Sequence, residues 1–504
     1  MPRQEFVIVL SIIAVKMIAH YFIIHPVYDL QRDEYLHLDQ ANHLAWGYES
    51  VPPFTSWTSY IIKLLGNGIF WIKFFPALFG AATIVIAWKL VELLNGNLFA
   101  KIITGVGLLF SVLFRINILY QPNSFDILSW TLVYYFIIRY IQSNEDKWLY
   151  WMTIFSALGF LNKYSILFLF MSLLIGLIAT NQRTVFKKPS LYVALCLGLL
   201  MVVPNLVWQY QHGFPVVHHM KELAHTQLIH VKRSDFIKDQ LLFFFQVFFL
   251  LIAGIAGFLF YEPFKKYRFV LVSYLCCILL FLYFRAKSYY ALGLYPVLIP
   301  FGAVYLEYLT KNSWQRYLRP LSFIIIIVFF YPFFIRLPLV PPQTLASKRP
   351  FSNTGPHIWE DGKDHGFPQD YADMLGWQEL AQKTDSTLKT LPANERTLIR
   401  TDNYGQAGAI NFYKHLSAVS YNADYINWIN LDQPIKNMII VINANDTNRA
   451  GERPYFEKVY AADSITNPFA REFRARIYVL FHATTSINEI IKADIAKEKN
   501  DQQF

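Results

Sequence analysis

The sequence predicts a polytopic α-helical membrane protein with a small α/β domain at its C-terminal end. Three observations predict it. The 504 residues are 55% hydrophobic and only 16% charged, with a mean hydropathy of +0.30, whereas soluble chains carry about 25% charged residues. Apolar runs of bilayer length recur from the N-terminus to residue 336. Beyond that point the composition turns mixed and polar.

The runs fall at residues 6–24, 69–94, 98–119, 124–141, 148–161, 164–180, 191–208, 240–261, 269–284, 290–309 and 321–336. A hydrocarbon core about 30 Å thick needs about 20 helical residues, so these read as about eleven spans, the fifth short. No small-residue cleavage site follows the first run, which is expected to stay as an uncleaved span. Cys196, Cys276 and Cys277 lie within apolar runs and read as small core residues, not a disulfide framework. The net charge of +10 is spread along the chain. It suits a membrane surface and phosphate groups, and no basic patch points to nucleic acid.

Lys and Arg in short loops orient such a chain. Arg183, Lys187 and Lys188, then Lys265, Lys266 and Arg268, then Lys311, Arg316 and Arg319 fall on one side if spans alternate, and Arg3 joins them. That side is expected to be cytoplasmic, and an odd span count puts the C-terminal part outside. The predicted division is a membrane domain over 1–340, with a first outer loop at 25–68, and an outer α/β domain over 341–504. "RLPLVPPQ" marks the exit from the membrane. In the outer part "TLIRTD", "NMIIVINA" and "RARIYVLFHA" read as strands and "AGAINFYKHL" as a helix. The last residues, "KEKNDQQF", are expected to fray.

With the sides assigned, the unusual polar residues near the membrane meet at one boundary. "QRDEYLHLD" places Asp33, Glu34, His37 and Asp39 in the first outer loop. Asn123, Ser124 and Asp126 sit at the outer end of the fourth span, and Asn162 and Lys163 at an outer turn. Arg285, Lys287, Tyr289 and Tyr290 lie on another outer loop, where two cations beside aromatic rings suit an anionic headgroup. Each has an ordinary alternative. Acids at a helix N-terminus suit the dipole, and lysines at a membrane edge snorkel. Acids beside apolar spans are costly, however, which favours function for the Asp33-Glu34 pair.

Two E-x-x-H pairs, Glu34–His37 and Glu222–His225, raise a metal reading. Di-metal bundles with this spacing need long polar-faced helices, which the chain lacks, and an interfacial amphipathic helix explains the second pair. No cofactor is assigned, and a divalent metal is left open. There is no H-E-x-x-H, P-loop or G-x-S-x-G motif.

Several stretches, in order, carry a resemblance: "RDEYLHLDQANHLAWGYESVPP", "QPNSFDILSWTLVYYFI", "GFLNKYSILFLF", "VPNLVWQYQHGFP", "KSYYALGLYPVLIP" and "TDNYGQAGAINFYKH". The chain resembles the membrane glycosyltransferases with the GT-C fold, in particular the bacterial family-39 group. These are relatives of protein O-mannosyltransferases and of the aminoarabinose transferase that modifies lipid A. The resemblance implies a polyprenyl-phosphate-linked sugar donor in a bacterial cytoplasmic membrane. It implies transfer at the outer face, with inversion, to an acceptor lipid, glycan or protein.

Under that resemblance Asp33 is the expected general base. Glu34 orients the acceptor or shares that role, and Asp126 places the sugar or supports Asp33. Lys287, with Arg285 and Lys163, meets the donor phosphate. His37, Glu49, Tyr289, Tyr290 and Asn162 are expected to contact substrate. The chain departs from the family where an acid often stands two positions before Pro52: Ser50 and Val51 stand before the Pro-Pro pair, with Glu49 one step earlier. "SYNADYINWIN" is also altered. Both departures bear on sugar and acceptor identity. Three other readings stay open at this level: a transporter or flippase of polyprenyl-linked sugars, a non-catalytic membrane subunit, and a GT-C ligase or polymerase acting on lipid-linked glycans. A transporter would call for polar residues near the midplane and internal repeats, and neither stands out.

Overall fold

The structure is a computed structural model that describes the chain except Met1, Ser313, Ile335, Arg336, residues 348–356, Thr447 and Phe504, with backbone alone for 500–503. The expected end of the last span, Arg336, lies outside the described residues.

From the N-terminus the helices are α1 (Arg3–Phe22), α2 (Arg32–Asp39), α3 (Phe54–Leu64), α4 (Ile69–Leu93), α5 (Leu98–Leu109), α6 (Leu113–Ile116) and α7 (Asn123–Ser143). Then come α8 (Lys147–Phe160), α9 (Ile166–Ile178), α10 (Pro189–Gln211), α11 (Pro215–Thr226), α12 (Arg233–Phe243), α13 (Phe248–Phe260) and α14 (Arg268–Tyr283). The membrane part closes with α15 (Tyr295–Leu309) and α16 (Leu318–Phe334). Among the described residues six helical stretches are long and apolar enough to cross a membrane, or eight if two bent pairs each count as one span. The third expected run, 98–119, breaks into α5 and α6, and the eighth, 240–261, is cut by a bend between α12 and α13.

The centre of the bundle is α15, in which every residue from Tyr295 to Val304 is buried. Its neighbour α13 approaches closely because both present glycine. A Cβ on Gly302 would lie 1.8 Å from the Leu250 carbonyl oxygen, and one on Gly254 would lie 3.0 Å from that of Leu298. Small residues at such crossings let backbones pack with dispersion contacts where lipid supplies no hydrophobic drive. By contrast α10 and α16 leave Leu195, Leu199, Leu200, Ile324, Ile327 and Val328 exposed, as lipid-facing helices do.

The C-terminal part adds α17 (Pro342–Ser347), α18 (Gln369–Ala372), α19 (Trp377–Leu388), β1 (Thr397–Thr401), α20 (Tyr404–Lys414), β2 (Val419–Ser420) and β3 (Asn437–Ile442). It ends with β4 (Phe456–Ser464), β5 (Arg476–Ala483) and α21 (Ile487–Gln503). The sheet order is β2-β1-β3-β5-β4, with β2, β1 and β3 parallel and β5 antiparallel to both its neighbours. The expected strands and helix are all present. β4 was not legible, and the tail expected to fray is helical as far as Gln503.

One face of the sheet buries Ile399, Ile439, Val441, Ile477 and Val479 in a core shared with Tyr35, Leu36 and Leu38 of α2. The other face packs on Ile487 and Ile491 of α21. So α2, from the first outer loop, is a wedge between the sheet domain and the bundle. Two glycines of α20 make room for it: a Cβ on Gly405 would meet Arg32 Cγ at 2.5 Å, and one on Gly408 would meet Tyr35 Cβ at 2.7 Å.

Candidate active site

The acid pair at the start of α2 splits into two roles. Gln31 begins the helix: its Oε1 accepts from the Asp33 N–H at 2.8 Å, and its own N–H donates to Glu34 Oε2 at 2.7 Å. This reciprocal arrangement satisfies amides that a helix start leaves unpaired. Successive helical residues point about 100° apart, and the Glu34 carboxylate turns inward with no exposure. Both its oxygens take hydrogen bonds from Lys73 Nζ, at 2.7 and 2.9 Å, and Oε1 also accepts from the Tyr120 N–H at 2.7 Å. Glu34 therefore has no free oxygen for an acceptor. It clamps α2 to α4 and to the segment before α7.

Asp33 turns the other way, with 34% of its side chain exposed. Tyr404 Oη, from the first residue of α20, donates to Oδ1 at 2.6 Å, and Gln121 Nε2 donates to Oδ2 at 3.1 Å. Arg32 Nε lies 3.4 Å from Oδ1, and its guanidinium stacks 5.1 Å from the Tyr404 ring centroid. From Gln121 the chain of bonds continues. Asn123 Nδ2 donates to Gln121 Oε1 at 2.9 Å, and Lys163 Nζ donates to Asn123 Oδ1 at 2.7 Å. The same ammonium lies 4.3 Å from the Tyr290 ring centroid and 5.1 Å from that of Tyr289. Lys287 Nζ pairs with Glu360 Oε1 at 3.1 Å, and Arg32 Nη2 lies 3.6 Å from the other oxygen of that carboxylate. Burial alone would raise the Glu360 pKa, but Lys287 and Arg32 pull it down to about 2.

The structure thus links Asp33, Lys163, Lys287, Tyr289 and Tyr290 through one set of contacts. It separates the others. Asp126 is buried, with Oδ1 accepting from Trp130 Nε1 at 3.0 Å and Oδ2 from Ser165 Oγ at 3.2 Å. It braces the turn that carries Lys163 and makes no bond to Asp33. Asn162 is buried and donates to the Pro122 carbonyl at 2.9 Å, holding the same turn. His37 is buried behind Asp33, its ring 3.4 Å from Gln40 Oε1; burial lowers its pKa while Asp33, Gln40 and Glu34 pull it up. Arg285 is exposed in a left-handed turn (φ 52°) and has no hydrogen bond or ion pair from its side chain among the described residues.

Glu49 lies at a different place. It lines an open cavity of about 940 Å³ together with Glu222, Arg400, Asp402 and Tyr421. Its N–H donates to Asp424 Oδ1 at 2.8 Å. Burial, then Asp424 and Glu222, push its carboxyl up to about 8.

Four partners of Asp33 and Lys287 were not singled out from the sequence: Arg32, Gln121, Tyr404 and Glu360. The first three lie inside stretches that carried the resemblance, so a signal existed; Glu360 has none. Among the described residues no three His, Cys, Asp or Glu side chains come together as a metal-ligand set, and the Glu34 of the first E-x-x-H pair is committed to Lys73.

The helical membrane bundle with a small sheet domain packed against α2 has the GT-C fold, and the solved structures it resembles agree on that fold. Residues 50–208 match the dolichyl-phosphate-mannose-protein mannosyltransferase family model. ArnT from Cupriavidus metallidurans, solved bound to undecaprenyl phosphate, superposes with a TM-score of 0.65 at 12% identity, covering 95% of this chain and 98% of that one. Its apo state gives 0.61 at 14% identity, with 94% and 97% covered. The archaeal oligosaccharyltransferase AglB from Archaeoglobus fulgidus, in complex with an inhibitory peptide and a dolichol-phosphate, gives 0.50 at 9% identity, with 86% and 69% covered. No curated protein gives a significant sequence match.

Proposed function

We propose that this chain moves a sugar from a polyprenyl-phosphate-linked donor to an acceptor lipid, glycan or protein at the outer face of a bacterial cytoplasmic membrane, with inversion, and that Asp33 is the general base. The observation that carries this reading is the Asp33 carboxylate, one-third exposed yet held from both sides by Tyr404 and Gln121, with Lys287 and Lys163 on the neighbouring loops. A positioned base contributes about 10²–10⁴-fold when it reaches the nucleophile's proton. Cations near the leaving phosphate stabilise the charge that develops on it. The outer compartment holds no nucleotide sugars, so a lipid-borne donor fits a site at the membrane edge. The undecaprenyl phosphate in the ArnT structure and the dolichol-phosphate in the AglB structure support that donor class.

In this reading Lys287 is the leading phosphate cation, and Lys163, braced by Asn123, is the second. Tyr289 and Tyr290 offer ring faces to sugar or lipid. Glu34 and Asp126 act as positioning residues. The loop charges described above support a cytoplasmic N-terminus and an outer sheet domain. Residues 1–340 then supply the base and the lysines, and residues 341–504 complete the site with Tyr404 and Glu360.

The test is donor consumption by the purified protein in lipid, followed by mass spectrometry over a panel of polyprenyl-phosphate sugars with candidate acceptors. Loss of sugar from one donor, abolished by Asp33→Asn while donor binding persists, is the expected result. An Asp33→Asn enzyme with full turnover would remove the central residue of the proposal.

A further inference from the structure

Glu360 is unusual among the charges around Asp33. It comes from the segment leading into the sheet domain, yet its carboxylate sits between two cations of the membrane part. One oxygen is 3.1 Å from Lys287 Nζ and the other 3.6 Å from Arg32 Nη2. Its N–H donates to Gln369 Oε1 at 2.9 Å, which anchors the backbone beside them. The two cations are largely buried, with 14% of the Arg32 side chain and 21% of the Lys287 side chain exposed. Two buried cations from separate elements, aimed at the two oxygens of one anion, form a subsite for an oxyanion. A planar guanidinium and a mobile ammonium suit a phosphate at least as well as a carboxylate.

Resting on the functional reading above, we propose that Arg32 and Lys287 together bind the phosphate of the polyprenyl lipid and that Glu360 is a resident carboxylate which that phosphate displaces. The charges give this exchange a direction. A sugar-linked lipid phosphate is a diester with one negative charge. The phosphate left after transfer is a monoester with about −1.5 to −2 charge at pH 7. The same two cations therefore hold the spent lipid more tightly than the donor, and a carboxylate that competes for them weakens the hold on both, which eases release of the spent lipid. Arg32 also contacts Asp33 Oδ1 at 3.4 Å, so the anion in this subsite is one residue away from the proposed base.

The experiment measures binding of undecaprenyl phosphate, and separately of inorganic phosphate, to the full chain in nanodiscs, each variant first checked for a wild-type melting temperature. Glu360→Gln is expected to bind undecaprenyl phosphate about tenfold more tightly, since a competing charge is gone. Glu360→Asp, which keeps the charge, should stay near wild type. Lys287→Ala and Arg32→Gln should weaken binding and erase the gain when combined with Glu360→Gln. Glu360→Ala carries the same expectation as the glutamine variant where the latter does not fold. If Lys287→Ala weakens binding but Glu360→Gln binds no better than wild type, the resident-anion role is wrong and the phosphate reading survives. If neither cation matters to lipid binding, the phosphate reading fails with it. A gain for inorganic phosphate without one for the lipid would assign the subsite to free phosphate and overturn the lipid proposal.

Discussion

Tyr404 of the sheet domain donates a hydrogen bond of 2.6 Å to the carboxylate of Asp33, 371 positions earlier in the chain and on the membrane side. The contact makes the sheet domain part of the candidate site, because the exposed acid is oriented by a residue from the first turn of α20. It depends on the close packing of α2 against α20 that Gly405 and Gly408 permit.

Tyr404→Phe tests that orientation. The ring and its stacking on Arg32 remain, and only the bond to the carboxylate is lost. A hydrogen bond to a charged group contributes about 1.5–3 kcal/mol, so kcat is expected to fall about 10- to 150-fold. The donor KM should hold, because Tyr404 touches the proposed base and not the lysines. Steady-state kinetics with a competent donor check this, and an unchanged kcat would make the bond incidental.

Glu34 and Lys73 are expected to behave as a structural pair. Lys73→Met leaves a carboxylate buried without its cation, which costs about 3–5 kcal/mol. Removing both charges, as Glu34→Gln with Lys73→Met, should recover most of the loss, because a buried ion pair stabilises little against a neutral replacement. Thermal unfolding at fixed detergent concentration reads both. Equal losses in the single and double variants would contradict the assignment.

Glu49 predicts a pH dependence of stability. Its folded pKa of about 8 stands above the ordinary 4.5, raised by burial and then by Asp424 and Glu222. Between those values the folded state holds a proton that the unfolded chain has released, so stability falls as pH rises through this window and levels off above it. Asp424, raised to about 6 by burial, adds to the lower part of the same slope. The melting temperature is expected to drop from pH 5 to pH 8.5, and Glu49→Gln should flatten the drop. A variant with the wild-type slope would place the titration elsewhere.

The bundle and most of the sheet domain were legible because apolar runs and strand patterns are local properties. The central strand β3, "NMIIVI", is buried at every position, and an unbroken apolar run says so. Strand β4 escaped for the opposite reason: it is an edge strand, "FEKVYAADS", with Phe456 its one buried residue, so it has no apolar face to read. The span count was less legible, since bends at 110–113 and around Phe244 divide apolar stretches that composition joins.

The sequence by itself determined the fold class and the apolar runs of the bundle, and it set the expectation that Asp33, Lys163, Lys287, Tyr289 and Tyr290 share one boundary. Those follow from transfer free energies and alternation of sides, which need no partner. Only the tertiary structure decided which acid of the Asp33-Glu34 pair faces the site, because Lys73 of α4 claims one of two adjacent carboxylates. It also decided that Asp126 and Asn162 brace a turn, that Glu49 belongs to another cavity, and that Arg32, Gln121, Tyr404 and Glu360 surround Asp33 and Lys287. Hydrogen bonds and ion pairs act over about 3–4 Å, and only folding brings residues hundreds of positions apart within that range.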